Sequence, residues 1–337
     1  MPRIALDAMG GDYAPAATVA GALLALAELP ADASLQMVGK EDVLVAELER
    51  QGHASVLGNG RIEIVGATQV IEMNDKPSVA AKGKRDSSMV VGLRLQTEGR
   101  SDAFVSAGNT GAQMAASVFV LRLHEGLSRP AISTLLPTGR GVPLVMLDSG
   151  ANVDCSPEEL VQFARLGAVY AEDILRRANP AVGLLSVGEE PEKGNLAVKE
   201  AHRLLAQSGL NFIGNVEGRD LPRGACARGD LDVVVCDGFT GNVILKFYEA
   251  VAPMIFGLLA QHGAPRSAVD AVKHAFDYAQ YGGAPLLGVK GISIICHGQS
   301  SAEAIKNAIK VAALAIDRGM AAHIGRSVRS APQEARP

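Results

Sequence analysis

The chain has no tryptophan, and aromatic residues make up only 4% of its 337 positions. Its interior therefore has to be filled by aliphatic side chains and alanine rather than by large rings. Cysteine is scarce too: Cys155, Cys226, Cys236 and Cys296 form no CxxC pair. That spacing points away from a zinc site and from a disulfide framework, and toward a reducing compartment. No excess of positive charge is present. The formal net charge is −4, which argues against a nucleic-acid partner. No uncharged apolar run reaches the roughly 18 residues of a membrane span, and the opening MPRIALDAMGGD has no apolar leader core. A cytoplasmic protein is the expectation. The seven histidines show no metal-ligand spacing, so no metal is expected.

What is abundant is glycine, 37 residues, and a hydrophobic fraction of 48%. Short apolar runs alternate with helical periodicity. Residues 3–7, 35–39, 61–66 and 102–108 read as strands, and 14–29, 41–52 and 87–99 as helices. Such alternation predicts an α/β fold with a mostly parallel sheet covered by helices on both faces, a three-layer, Rossmann-like α/β/α arrangement. In the middle, 131–138 and 141–150 read as two strands that form a hairpin or project from the main sheet. Ser156, Pro157 and Glu159 announce a helix through a capping box. Further strands are expected at 181–188, 211–215, 231–238 and 289–298, and a helix at 196–207. Ser300 and Glu303 read as a second capping box. Residues 1–325 are expected to form one catalytic unit with a helical projection near 243–280, followed by a solvated tail at 326–337.

In an open α/β sheet, ligands bind beyond the carboxyl ends of the strands. Six loops rich in Gly, Asn and Asp are expected there: DAMGGD (7–12), SAGNTGA (106–112), DSGANVD (148–154), GEEPEKGN (188–195), GNVEGRD (214–220) and DGFTGN (237–242). Any one of them alone is an ordinary turn; six at one edge suggest a polar cleft lined by backbone N–H groups. SAGNTGA is neither a P-loop nor a dinucleotide fingerprint. Ser106, Gly108, Asn109, Thr110 and Gly111 lie between a strand and a helix. Free N–H groups at such a junction suit a small anion such as phosphate, and the plainer reading is a helix entry capped by Ser106 or Asn109. Asp7 and Asn152, in two of the other loops, are further candidates for binding phosphate or substrate. Lys193 sits in a turn after a strand, where a cation can hold phosphate or stabilise an oxyanion, or simply face water. Asn242 can donate to an oxyanion or cap a helix, and Asp237 can orient such a group or cap the same turn. His297, the one histidine at a strand end, is a further candidate for binding phosphate or substrate. The basic run KGKR (82–85) reads as a solvated face or as a docking point for an acidic partner or a phosphate. Cys236, among valines, reads as core.

With these loops in order, the chain resembles the acyl-ACP:phosphate acyltransferase family (PlsX family). The likeness is carried by ALDAMGGD, SAGNTGA, GANVD, EKGN, FIGNVEGRD, VVVCDGFTGNVILK, YGGAPLLGVKG and HGQSSAEAIKNAI, over about 300 residues. Two departures stand out. Ser149 replaces a more frequent Val, and the segment before YGGAP is shorter than in some relatives, whose projection there contributes to membrane contact. The resemblance implies transfer of a fatty acyl group from acyl carrier protein to inorganic phosphate, giving acyl phosphate for phospholipid synthesis. It implies a homodimer related in fold to phosphotransacetylase and to isocitrate and isopropylmalate dehydrogenases. It also implies work at the inner face of the membrane, where a glycerol-3-phosphate acyltransferase consumes the product. Lys193 and Asn242 match positions regarded as catalytic in that family. The chemistry asks for no cofactor, because phosphate is already an anion and a thiolate leaves readily. Two alternatives remain open from the residues: a phosphotransacetylase-like enzyme using small acyl-CoA, and a noncatalytic module that binds phosphate or carrier protein.

Overall fold

Alternating apolar runs become strands, and most strands of the parallel sheets deliver the chain into a helix. In the computed structural model, which describes residues 1–58, 60–276 and 282–329, the chain order is as follows. It begins β1 (Arg3–Asp7), α1 (Ala16–Glu28), β2 (Ser34–Gly39), α2 (Glu41–Arg50), β3 (Ile62–Gly66), α3 (Pro77–Gly83), α4 (Ser88–Thr97), β4 (Ala103–Ser106) and α5 (Thr110–Leu121). It continues β5 (Ala131–Ile132), β6 (Thr134–Leu136), β7 (Leu144–Leu147), α6 (Pro157–Asp173), β8 (Val182–Leu185), α7 (Leu196–Ala206), β9 (Phe212–Val216), β10 (Ala225–Cys226), β11 (Gly229–Asp230) and β12 (Val233–Val235). It closes with α8 (Gly238–Gln261), α9 (Arg266–Phe276), β13 (Ala284–Leu287), β14 (Ser293–Ile295), α10 (Ala302–Asp317) and α11 (Met320–Arg329).

The chain divides into two compact units rather than the one expected for 1–325. Among the described residues, the first holds 1–124 and 282–325, and the second holds 125–276 and 326–329. Helix α11 runs to Arg329, so the expected tail begins at least four residues later; 330–337 lie outside the described residues. Of the expected projection at 243–280, α8 and α9 supply the helices, and 277–280 lie outside the described residues.

In the first unit the strands run in the order β3-β2-β1-β4-β14-β13. All neighbours are parallel except β13, which lies antiparallel to β14. The chain steps outward from β1 to β2 and β3, then returns to the other side of β1 with β4. The order reverses between β1 and β4, and in an open α/β sheet such a point, beyond the carboxyl ends of the strands, is where ligands bind. Helices α1 and α10 pack on one another, as do α4 and α5. The α1–α10 contact is close because Gly21 offers no side chain: a Cβ there would lie 2.6 Å from the Ile305 Cβ. Ser301, not Ser300, caps α10, accepting from Ala304 N–H. The expected box fails because the Ser300 N–H closes a turn onto the His297 carbonyl and Glu303 pairs with Lys306. The strand expected over 289–298 is confined to β14, and β13, in the APLL segment before it, was missed.

The second unit has the order β6-β7-β12-β8-β9. β7, β12, β8 and β9 are parallel, and β6 is the antiparallel hairpin partner of β7. The capping box at Ser156 and Glu159 forms as its spacing predicts, with Pro157 in the first turn of α6. Helices α6 and α7 pack on one face of this sheet. On the other face Leu136, Leu144, Met146, Val234 and Cys236 form a buried cluster against which α8 lays Ile244, Leu245 and Tyr248. The Cys236 thiol is pushed well above its ordinary range, first by burial, as befits a core residue.

Candidate active site

All six Gly- and Asn-rich loops leave the carboxyl ends of parallel strands: β1 and β4 in the first unit, β7, β8, β9 and β12 in the second. Most of their polar side chains hold the loops to one another.

In the first unit Asp7 closes β1 and is buried. Burial raises its carboxyl above the ordinary carboxylate range, opposed by hydrogen bonds from Ser88, Ser106 and the backbone of Met9 and Gly10. The Ser106 hydroxyl donates to Asp7 at 2.7 Å and accepts the Gly108 N–H at 3.0 Å. Gly10 is pressed into the same knot: a Cβ there would lie 2.6 Å from the Asp7 carboxylate and 2.8 Å from the Gly108 nitrogen. The Gly108 N–H is thus already engaged, contrary to its expected role in holding an anion. Asn109, not Ser106, caps α5. Its Oδ1 accepts from Ala112 N–H at 3.0 Å, and its Nδ2 donates to the carbonyls of Met73 at 2.9 Å and Asp75 at 3.2 Å. Asn109 is therefore a clamp between loops. Its own carbonyl takes the Gln113 N–H. The N–H groups of Thr110 and Gly111, the first two helical residues, carry no hydrogen bond among the described residues, and the Thr110 side chain is exposed. That leaves two unbonded donors at the N-terminus of a 12-residue helix. His297 is exposed in a turn, its Nδ1 accepting from Gln299 N–H at 3.2 Å, and the next carbonyl, of Gly298, accepts Asp12 N–H at 2.7 Å. Lys84 of the basic run is committed to Asp75 and to the Val70 carbonyl, which leaves Lys82 and Arg85 as its exposed part.

In the second unit the organiser is Asp148, which the sequence reading passed over. Its buried carboxylate accepts from the N–H groups of Ile132, Ala151 and Asn152 and from Asn152 Nδ2. Burial raises its carboxyl all the same. Asn152 also donates to the Pro130 carbonyl at 2.8 Å and accepts Gly238 N–H at 2.8 Å, so it is a strut of this loop. Asp237 caps α8 through Thr240 N–H at 2.8 Å and Thr240 Oγ1 at 2.9 Å. Gly238 and Gly241 then pass directly against residues 148–152: a Cβ at Gly241 would overlap the Asp148 carbonyl oxygen. This close passage puts Asn242 beside Gly150, whose Cβ would lie 3.4 Å from Asn242 Oδ1. Asn242 is inside α8, not at its cap, and its side chain is exposed. Lys193 follows β8 in a turn closed by its N–H to the Glu190 carbonyl. Its stem lies against Gly188, its neighbour Gly194 takes φ +101°, and Asn195 caps α7. The turn is braced from β9 by Asn215, whose Nδ2 donates to the Glu190 carbonyl at 2.8 Å.

Apart from His297, the predicted residues fall into two classes. Asp7, Ser106, Asn109, Asn152 and Asp237 are saturated with internal bonds, and the Gly108 N–H is spent. The side chains of Lys193, Asn242 and Thr110 are exposed and make no hydrogen bond among the described residues. The groups left free are a cation and a carboxamide in the second unit and a helix N-terminus in the first.

A family model described as fatty acid synthesis protein matches residues 2–323. Phosphate acyltransferase from Desulforamulus reducens is 46% identical, with 98% of each chain covered. Phosphate acyltransferase from Dictyoglomus turgidum is 48% identical, covering 92% of this chain and 93% of its own. Among solved structures, a phosphotransacetylase from Streptococcus pyogenes superposes with a TM-score of 0.66 at 17% identity, with 94% of each chain covered. One from Staphylococcus aureus gives 0.61 at 18%, again with 94% of each covered. At such identities the superpositions speak to fold alone, and they agree with the α/β/α reading.

Proposed function

We propose, for a chain that belongs to the fatty acid synthesis protein family, that it is a phosphate acyltransferase taking its acyl group from acyl carrier protein. Inorganic phosphate attacks the thioester carbonyl and a tetrahedral oxyanion forms. Its collapse breaks the C–S bond, giving acyl phosphate and the carrier thiol; the proton that phosphate gives up balances the one the thiolate takes. In the second unit Asn242 Nδ2 donates to the oxyanion and Lys193 supplies positive charge; in the first, the Thr110 and Gly111 N–H groups suit an anion. The observation that carries this reading is the selective freedom of Lys193 and Asn242 beside loops whose other polar groups are spent on structure.

The test is incubation with palmitoyl-acyl carrier protein and phosphate, following free thiol and hydroxylamine-trapped acyl phosphate, with acetyl-CoA as parallel donor. Phosphate-dependent release from the carrier-bound donor is expected. Lys193→Ala and Asn242→Ala should each lower kcat by about 10²–10³-fold, the scale of losing one preorganised charge-stabilising group. Full activity in either variant refutes its assignment, and turnover with acetyl-CoA alone refutes the carrier-protein reading.

Helix α8 bears on assembly. It is the one helix among the described residues long and apolar enough to cross a membrane, by length and composition. Its Phe239, Val243, Phe247, Met254 and Leu258 form an exposed stripe. The stripe supports a homodimer or contact with a membrane surface, in a cytoplasmic enzyme that hands acyl phosphate to a membrane glycerol-3-phosphate acyltransferase. Light scattering and vesicle sedimentation separate the two uses.

A further inference from the structure

Helix α8 has a second apolar face. Asn242, Leu245, Glu249, Pro253 and Phe256 recur at intervals of three and four and so share one side of the helix. That side is opposite the exposed stripe. From Leu245 onward it walls a cavity of about 470 Å³, floored by Leu135, Leu136 and Pro137 at the end of β6. Ala252 is the small residue in the middle of this wall. Phe256 stands at the end remote from Asn242, edge-to-face with Phe276 at 6.2 Å. Glu249 at the rim is drawn to Lys246 at 2.8 Å. Leu245 and Phe256 are about 16 Å apart along the helix axis.

We infer that this cavity holds the hydrocarbon chain of the acyl donor, with the thioester end toward Asn242 and the terminal methyl toward the Phe256–Phe276 pair. The inference rests on the acyl-transfer reading above and adds a location and a length limit. A space of that volume, along a wall about 16 Å long, suits a long-chain acyl group and is far larger than an acetyl group needs. The cavity belongs to the same unit and the same helix face as Asn242, so a chain held by its carbonyl there runs directly along the wall. A loose apolar chain needs no hydrogen-bonding partner, and the lining is mainly leucine, proline and phenylalanine, with Tyr248, Glu249 and Lys273 as its polar members.

The experiment measures kcat/KM for C8, C12, C16 and C20 acyl-acyl carrier protein donors in the wild type, Ala252→Phe and Phe256→Ala. The ring at 252 blocks the chain midway. Each excluded methylene should cost about fourfold in kcat/KM, the equivalent of ~0.8 kcal/mol, so the C16/C8 ratio should fall at least tenfold. Removing the ring at 256 should raise the C20/C16 ratio. If the wild type turns over long-chain donors and neither variant changes these ratios, the inference is overturned while the transfer reading stands. If the wild type transfers no carrier-bound acyl group to phosphate, both fall. Should Ala252→Phe fail to fold, judged by its thermal transition, Phe256→Ala decides alone.

Discussion

Asn109 offers a quantitative check on the division between clamps and substrate-facing groups. The side chain makes three hydrogen bonds: Oδ1 to Ala112 N–H, and Nδ2 to the carbonyls of Met73 and Asp75. Losing an N-cap costs ~1 kcal/mol, and each carbonyl deprived of its donor costs about as much again. Asn109→Ala should therefore lose about 3 kcal/mol in equilibrium urea unfolding. Asn109→Ser keeps a capping oxygen and drops both Nδ2 donors, so it should lose about 2 kcal/mol. Because the side chain points into the protein rather than at substrate, the serine variant should keep the wild-type KM for phosphate. An alanine variant within ~0.5 kcal/mol of wild type would refute the clamp, and serine equal to alanine would refute the cap. A serine variant of full stability with a KM raised tenfold would mean that Asn109 binds phosphate.

Three further outcomes are expected. The Glu28 carboxylate is held down to about 2 by Lys310 and Lys306, below its ordinary 4.5, so it stabilises the fold above pH 4.5 and loses that effect as pH falls toward 2; the melting difference between wild type and Glu28→Gln should close over that range. Gly241→Ala should lower the urea midpoint, because its methyl overlaps the Asp148 carbonyl, and should lower kcat through the adjacent Asn242. Burial pushes the Cys155 and Cys296 thiols up to about 12 and holds that of Cys236 well above its ordinary range. In a Cys226→Ala variant at pH 8, a thiolate-directed reagent should therefore label the native protein far more slowly than the urea-unfolded one.

Fold class was legible because hydrophobic period and turn chemistry are local. The strand at Arg3–Asp7 and the capped start of α6 need nothing beyond neighbouring residues. Loop positions followed from the same rule, since each Gly-rich stretch had to leave a strand end. The division of labour within those loops was not legible. Ser106 finds Asp7 across the chain, and Asn109 reaches back to Met73 and Asp75; no spacing in sequence announces either bond. Asp148 stood in a quoted loop but looked no different from its neighbours until four donors converged on it. Serines at 300 and 301 are equal candidates for a cap, and only the turn at His297 decides between them. The pocket along α8 was hidden because its floor, Leu135–Pro137, comes from a hairpin a hundred residues upstream.

The first sheet is interrupted in sequence. β14 pairs with β4, matching Phe104 to Ser293, and almost the whole second unit is spelled out between them. During synthesis, β1 to β4 emerge with the flank of β4 bare, and that flank stays bare until β14 leaves the ribosome. The second unit meets no such delay, because its five-stranded sheet lies within one continuous stretch of chain. We expect the inserted unit to acquire protection from hydrogen exchange first and the N-terminal strands to wait for it. Earlier protection of β1 and β4 in pulse labelling would contradict that order. Waiting strands are sticky ones, so chaperone demand should concentrate on the N-terminal segment of this protein, although that segment is the first to be made.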